Sequence, residues 1–418
     1  MSDRQEAIEA IDKATLTPLV RRALNSEGAE VNDWRCHPIQ VHIGAGSDQI
    51  GLARADDGSE GRAEKEGHDP LAQSVGRARR QFASERRTGG PGRGVFRFTG
   101  SARVQGQRRT WSLMLKIQSD GLQRERLAYE SGLLDDLPHG LAIPQCYGVS
   151  EQPNGDYWLW LEEVVDEIGP RWPMARYGVA ARHLGHFNGT HLAEGVVADL
   201  PWLNRKPNLN WNPTYEIIAQ LHSVRDHPLI ACAFPPDVAA GIVRLWGRRH
   251  ILLRALYRMP RALCHLDAQR SNMLSRNTDG AEQTVLIDWG SMGIGALGVE
   301  IAQLSVSFRS LRDFAMGQVQ ELADIVFAEY LAGLRDVGWR GDPRALRLGY
   351  VTAAVLFNGL GELKSILRGG LDERARPRVI ELWGDRSIEE NMARRGQLLR
   401  FLIGFADEAE GLLGTLPG

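Results

Sequence analysis

One stretch, from Cys264 to Gly290, constrains the fold of this chain more than any other. It reads CHLDAQRSNMLSRNTDGAEQTVLIDWG, and its turn-forming run NTDG lies between two apolar segments. That arrangement predicts a short hairpin. Closing the hairpin would bring Asn272 near Asp288, with Asp267 in the loop that leads into the first strand. The sequence therefore predicts two carboxylates and one amide oxygen around a single small volume.

These side chains offer hard oxygen ligands of the kind that Mg²⁺ shares with substrate phosphates. Their order also matches the pattern of protein kinases, in which a catalytic Asp, an Asn five residues later and a strand-terminal Asp-Phe-Gly act together. Here the three are Asp267, Asn272 and Asp288, and Trp289 replaces the Phe. A hairpin with polar turn residues would explain the NTDG run, but it would not explain the two spaced motifs together.

The run CHLDAQRSNML, followed by VLIDWGSMGIGALGVEIAQL, resembles the aminoglycoside phosphotransferase and choline kinase family. Leu266 stands where the usual His-Gly-Asp motif of that family has Gly. The resemblance covers most of the chain from about Gly94 onward. It implies a two-lobed, protein-kinase-like α+β fold, with a small antiparallel-sheet lobe and a larger, mostly helical lobe. It also implies transfer of a phosphoryl group from ATP or GTP to a hydroxyl of a small molecule.

The same resemblance assigns roles to the three motif residues. Asp267 would accept or orient the proton of the acceptor hydroxyl, and Asn272 and Asp288 would hold Mg²⁺. Glu300 stands where the family often has an Asp that supports the catalytic loop, so we expect a structural role for it. Arg270 has two open interpretations, a contact to phosphate or an ion pair with an acid in the helical lobe.

Lys116 follows three apolar residues in the strand-like run TWSLMLKIQ. By resemblance it would grip the nucleotide phosphates and pair with Glu125, with Glu130 as a less favoured partner. A lone Lys in such a strand would otherwise reach into solvent at a sheet edge. The Asp-Asn-Asp set downstream favours the catalytic interpretation.

Two further segments are expected to contact the nucleotide. After the strand YWLWL, the backbone groups of Glu162 and Val164 would bind adenine as the hinge between the lobes, while Glu163 could instead face the acceptor. The glycine-rich run at 89–94 is the best candidate for a phosphate-covering loop, although a flexible linker explains it equally well. The P-loop signature is not present in the sequence.

The pattern along the chain predicts three regions. Residues 1–30 form an N-terminal helical segment, and residues 31–161 form the small lobe with an insert at 47–93 that is too polar to order itself. Residues 162–418 form the helical large lobe, which includes the catalytic loop and the metal hairpin at 264–290.

Composition excludes several classes of partner. A formal net charge of −2 gives no sign of nucleic acid, and no apolar run is long enough to span a membrane. Four dispersed cysteines predict neither disulfides nor a zinc site, so we expect a cytoplasmic protein. Residues 301–418 hold sixteen acidic against fifteen basic side chains, which does not favour a strongly cationic acceptor. The alternative function is a non-catalytic, kinase-like protein that binds a nucleotide or a partner.

Overall fold

The computed structural model describes residues 3–39, 93–118, 123–192, 200–205, 218, 220–308, 313–383 and 386–414. The expected insert at 47–93 and the glycine-rich run at 89–94 therefore lie almost wholly outside the described residues. The described part forms two compact units. The smaller unit contains the N-terminal residues up to 39 and residues 93–167 and 274–290, and the larger unit contains 168–273 and 291–414.

The smaller unit is built on a five-stranded antiparallel sheet with the strand order β1-β2-β3-β6-β5. Its strands are β1 (Glu30–Ile39), β2 (Arg93–Val104), β3 (Gln107–Gln118), β5 (Cys146–Glu151) and β6 (Tyr157–Leu161). Gln105 and Gly106 join β2 to β3 and both have positive φ, which is the backbone that a two-residue hairpin turn requires. The small antiparallel sheet expected from the sequence is thereby confirmed.

Helices α1 (Asp3–Glu9) and α2 (Lys13–Ala23) belong to this unit, because their apolar side chains join the core of the sheet. Every second residue of β3 from Trp111 to Ile117 is buried in that core. The sequence predicted a helical segment at 1–30, and the structure divides it into two helices. Asp12 begins the second helix by accepting a hydrogen bond of 2.8 Å from the backbone N–H of Thr15.

A three-stranded sheet carries the predicted hairpin. Its strands are β4 (Leu141–Ala142), β8 (Met273–Thr278) and β9 (Ala281–Leu286), with β4 parallel to β9. Asp279 and Gly280 have positive φ and close the hairpin. Residues 274–290 group with the smaller unit, so the unit boundaries differ from those drawn on the sequence, where the whole hairpin was placed in the helical lobe.

Helices dominate the larger unit. They are α4 (Met174–Thr190), α5 (Pro228–Ala233), α6 (Pro236–Arg258), α7 (Val299–Ser305), α8 (Val319–Asp336), α9 (Pro343–Ala353), α10 (Leu363–Leu371), α11 (Arg376–Trp383) and α12 (Ile388–Leu413), while α3 (Arg124–Glu130) lies in the smaller unit. A two-stranded ladder joins β7 (Arg261–Cys264) to β10 (Gly293–Ala296). A π-helical segment, Ala354–Leu360, follows α9.

Helices α4 and α8 approach each other closely enough to require glycine. A Cβ atom on Gly185 would lie 2.4 Å from the carbonyl oxygen of Tyr330, and one on Gly333 would lie 2.2 Å from that of Arg182. This contact fixes the position of Asn188, one turn further along α4, relative to α8. In the part of the chain that the structure describes, no helix is both long and apolar enough to cross a membrane.

Candidate active site

Lys116 lies in β3 of the smaller unit between two carboxylates. Its ammonium is 2.5 Å from the Glu125 carboxylate and 2.8 Å from that of Asp288. Glu125 lies in the first turn of α3, and its side chain is 1% exposed. Burial lowers the pKa of Lys116, but the charges of Asp288 and Glu125 outweigh burial and raise that pKa above its usual value. The structure therefore brings the carboxylates of two predicted residues, Glu125 and Asp288, to the ammonium group of a third, Lys116.

Glu125 rather than Glu130 is the helix partner of Lys116. Glu130 faces Arg126 at 3.6 Å, in an ion pair on the same helix. Glu125 also accepts a hydrogen bond of 2.5 Å from the side-chain amide of Gln118, two residues after Lys116. The sequence analysis missed Gln118. The two-residue period of a strand could have identified it, because that period places residues 116 and 118 on the same face of β3.

Asp288 follows β9 and has a φ of 65°, which is uncommon for a residue other than glycine. Trp289, fully buried, donates its indole N–H to the carbonyl oxygen of Leu286 at 3.1 Å. This bond closes the chain into a tight turn at the end of the strand. The Asp288 side chain remains 36% exposed, so its carboxylate can reach a ligand while it contacts Lys116.

Asp267 in the larger unit is held by two side-chain amides. Asn272 donates to its Oδ2 and to its backbone oxygen, both at 2.9 Å, and Gln269 donates to its Oδ1 at 2.9 Å. The backbone N–H of Asn272 bonds to the oxygen of Gln269, which closes the 3₁₀ turn Arg270–Asn272. The sequence analysis missed Gln269. No pattern singled it out beyond its place two residues after the aspartate.

The backbone conformation of Leu266 explains why the His-Gly-Asp motif of the family has glycine at this position. Its φ is 61°, a left-handed conformation that glycine adopts without strain. Its N–H donates to Glu300 Oε1 at 2.9 Å, and His265 Nδ1 accepts from the N–H of Asp267 at 3.2 Å. His265 and Glu300 thus both bind the backbone of the loop that carries Asp267, which for Glu300 is the structural role that we expected.

A buried network of hydrogen bonds lies behind this loop. Tyr330 donates to Asn188 at 2.7 Å, and Asn188 donates to Glu300 Oε2 at 2.8 Å. Glu300 is 1% exposed. Burial raises the pKa of Glu300 to about 7, although the hydrogen bonds from Asn188 and the backbone act in the opposite direction. Burial also raises the pKa of the neighbouring Cys264 and Tyr330, so both of these groups are neutral.

The expected hinge lies at the end of β6. The N–H of Glu162 continues the ladder by bonding to the oxygen of Gln145 at 2.8 Å, and its carboxylate lies 3.0 Å from Arg276. Glu163 pairs with Arg97 of β2 at 2.7 Å. Both glutamates line a groove of about 690 Å³ on the smaller unit.

A family model described as the phosphotransferase enzyme family matches residues 95–346, which is more than half of the chain. The chain belongs to this family. The resemblance drawn from the catalytic motifs is thereby confirmed, and so are the kinase-like α+β fold and the phosphotransferase activity. Lys116, Asp267 and Asp288 all lie inside the matched residues.

Solved structures resemble the chain at low sequence identity. An aminoglycoside phosphotransferase from Alicyclobacillus acidocaldarius is 16% identical with a TM-score of 0.50, over 75% of this chain and 90% of that one. A microcompartment-associated aminopropanol kinase is 12% identical with a TM-score of 0.47, over 75% and 90%. An ethanolamine kinase from Plasmodium vivax is 12% identical with a TM-score of 0.40, over 76% and 81%. No curated protein matches the sequence significantly.

The donor atoms fit a nucleotide bound with a divalent cation. Asn272 uses its amide hydrogens on Asp267, which leaves its Oδ1 as the atom available to a cation. The Asp288 carboxylate of the smaller unit is likewise a hard oxygen donor. Among the described residues, no group of three or more His, Cys, Asp and Glu side chains is arranged to hold a metal. The joint action of Asn272 and Asp288 stays a prediction.

Proposed function

We propose that this phosphotransferase transfers the γ-phosphoryl group of ATP or GTP, bound with Mg²⁺, to a hydroxyl of a small molecule. The observation that carries the proposal is the Asp267 carboxylate, which two side-chain amides orient within one tight turn. Such a carboxylate is suited to accept the proton of an attacking hydroxyl. The bound cation would neutralise negative charge on the phosphates.

In this scheme each residue has one task. Asp267 Oδ1 or Oδ2 accepts a hydrogen bond from the acceptor hydroxyl and takes its proton as the new P–O bond forms, while the bond from the γ-phosphorus to the bridging oxygen breaks and the nucleoside diphosphate leaves. Asn272 Oδ1 and the Asp288 carboxylate would hold the cation. Lys116 leaves its contact with Asp288 for the phosphates and keeps Glu125 as its fixed partner, since that carboxylate is fully buried. Positioning and charge stabilisation then supply most of the rate enhancement.

The base of the nucleotide is assigned to the edge of the smaller unit. The N–H of Glu162 is already bonded to Gln145, so its carbonyl oxygen is the group that can accept from an adenine amino group. Val164 would supply a backbone N–H. The pairing of Glu163 with Arg97 argues against a direct role for Glu163 in acceptor binding.

For the acceptor we propose a sugar, an amino alcohol or an antibiotic that lacks a high positive charge. Acidic and basic side chains are almost equal in number in residues 301–418, and a polycation would require a clear acidic excess. The four cysteines, at 36, 146, 232 and 264, are free thiols. Free thiols support an assignment to the reducing cytoplasm.

The test is an acceptor panel assayed by nucleotide consumption, with ATP and GTP compared and Mg²⁺ present or chelated. Asp267→Asn keeps the shape of the side chain but removes the base, so turnover of the best acceptor should fall about 10²–10⁴-fold. Nucleotide affinity should remain close to that of the parent. The matched control is Asp226→Asn, because the Asp226 side chain is 80% exposed and lies outside residues 267–273, the catalytic turn. Parental turnover by the Asp267 variant would place the base elsewhere.

A second measurement addresses the cation and the non-catalytic alternative. Asp288→Ala removes a carboxylate ligand, so calorimetry should show much weaker binding of the Mg²⁺–nucleotide complex by a folded variant. Unchanged affinity would show that the cation binds elsewhere. A parent protein that binds nucleotide but consumes none with any acceptor in the panel would favour the non-catalytic alternative.

A further inference from the structure

Arg270 lies in the middle of the catalytic turn, between Asp267 and Asn272. One end of its guanidinium donates to the carbonyl oxygen of Met273 and the other donates to that of Gly169, each at 2.8 Å. Arg270 is 9% exposed. The two carbonyls belong to chain segments about a hundred residues apart, so this one side chain bridges the turn and the segment that precedes α4.

The flat face of the same guanidinium covers an aromatic ring. The Arg270 Cζ lies 3.9 Å from the ring centre of Trp172, and the Arg176 Cζ lies 4.3 Å from the same ring centre. Trp172 is 2% exposed. A desolvated guanidinium over an indole is a favourable cation–π contact, and the planar arginine fork suits it better than an ammonium does.

Aromatic packing also holds the Trp172 ring in place. The ring of Tyr177 packs edge-on against it with ring centres 5.7 Å apart, and Phe314 packs on Tyr177 in the same way at 5.2 Å. Tyr177 also donates from its hydroxyl to Asp313 at 3.3 Å. Arg270 therefore rests on a packed aromatic cluster rather than on a side chain that can move away.

We infer that Arg270 is a positioning residue: it holds the turn that carries Asp267 and Asn272 against the Gly169–Trp172 segment. The inference deepens the proposed function and rests on it for the meaning of the turn. It also bears on the interpretations that the sequence left open for Arg270. A guanidinium with its two ends on carbonyls and its face on Trp172 is committed to the turn, which favours support of the turn over contact with phosphate.

The first part of the test needs no substrate. Hydrogen exchange of the backbone amides at 267–273 is compared in the parent, Arg270→Lys, Arg270→Met and Trp172→Leu. We expect exchange in this turn to accelerate about tenfold or more in all three variants, through local opening. Lys keeps the charge but cannot bridge two carbonyls and stack at once, so it should behave like Met. Arg340→Lys is the control, because Arg340 also bonds two carbonyls but at the end of α8.

The second part uses the best acceptor from the panel. Loosening of the turn should lower kcat about 10- to 100-fold in Arg270→Lys, with a smaller rise in nucleotide KM because Asn272 lies in the same turn. The double variant Arg270→Met/Trp172→Leu should be no worse than the poorer single variant, because the two side chains form one contact. Circular dichroism and thermal melting identify any variant that fails to fold, and Arg270→Lys is the mildest of the set.

Three results would overturn the inference. They are parental exchange of the turn in the folded Arg270 variants, a raised nucleotide KM at unchanged kcat, and full additivity of the two substitutions. The raised KM would indicate phosphate contact instead. If the parent has no phosphotransferase activity with any acceptor, the proposed function fails, while the exchange data still decide whether Arg270 holds the turn.

Discussion

Lys116 of the smaller unit and Asp267 of the larger unit are held in place by different kinds of partner. Lys116 contacts two carboxylates, from Glu125 nine residues away and from Asp288 far along the chain. Asp267 contacts neutral amides that lie two and five residues away. The first cluster depends on tertiary packing to bring opposite charges together, and the second depends on the local turn.

The buried acid behind each site shows the same contrast. Glu125 is buried with a cation against it, whereas Glu300 is buried with Asn188 and a backbone N–H as its hydrogen-bond donors. Burial raises the pKa of both glutamates, to about 7 for Glu300, but at Glu125 the charge of Lys116 opposes the rise, and the charges of Asp288 and Glu125 keep Lys116 ionised. The comparison indicates that charge pairing stabilises the Lys116 cluster at neutral pH. The loop that carries Asp267 is supported by hydrogen bonds alone, and ionisation of the buried Glu300 lowers the free energy of unfolding.

The largest effect is expected when the charge pairing is broken. Lys116→Met leaves the fully buried Glu125 carboxylate without its cation, which should lower the free energy of unfolding by about 3–5 kcal/mol. Lys116→Met/Glu125→Gln removes both charges and should recover most of that loss. Urea denaturation at pH 7 measures both variants.

The control for this prediction is an exposed ion pair. Arg248 faces Glu410 at 3.2 Å with side chains 51% and 36% exposed, so Arg248→Met should cost at most about 1 kcal/mol. Equal losses of unfolding free energy in Lys116→Met and Arg248→Met would mean that the buried cluster stabilises the protein no more than an exposed ion pair does.

A smaller effect, with a defined pH dependence, is expected at Glu300. Its pKa rises from 4.5 to about 7 on folding, so between these values the folded protein keeps a proton that the unfolded chain releases. The stability contributed by this proton is complete below pH 4.5 and is lost as the pH rises through 7. Over that window the loss is about 3 kcal/mol, at roughly 1.4 kcal/mol for each pKa unit.

Glu300→Gln removes this titration, so its free energy of unfolding should fall less than that of the parent between pH 4.5 and pH 8. Glu329→Gln is a matched control, since the Glu329 side chain is 41% exposed and pairs with Arg182. Denaturation series at several pH values give the comparison. Parallel pH curves for the parent and Glu300→Gln would show that Glu300 is ionised in the folded protein throughout.

Much of the smaller unit followed from local patterns. Strand β6 has the predicted bounds Tyr157–Leu161, and the hairpin closes at the predicted turn, because alternation and turn chemistry act over a few residues. The break between α1 and α2 was missed, since the apolar spacing continues across Asp12. The pairing of Lys116 with Glu125 came from the family resemblance, because composition and spacing alone would have placed the lysine in solvent.

The support of the catalytic turn was the part that sequence could not supply. The Tyr330–Asn188–Glu300 network joins residues more than a hundred positions apart, and no periodicity marks such partners. The contact of Arg270 with Trp172 is of the same kind. Long-range hydrogen bonds between single side chains depend on how helices pack, as in the glycine contact of α4 with α8, and that packing is a property of the folded chain.

The smallest effect concerns the backbone strain of the catalytic turn. At ordinary positions glycine is less stable than alanine by about 0.5–1 kcal/mol. At Leu266 the φ of 61° penalises any side chain by about 1–2 kcal/mol, so the order should reverse. Leu266→Gly should be more stable than Leu266→Ala by up to about 1 kcal/mol, because both variants lose the leucine side chain and only glycine relieves the strain. Leu274 in β8 is the matched control, since its φ is not positive and alanine should be the more stable variant there. Thermal denaturation of the four variants measures both differences. The same sign at both positions would mean that the turn stores no backbone strain, and that the Asp267 loop is held by its hydrogen bonds alone.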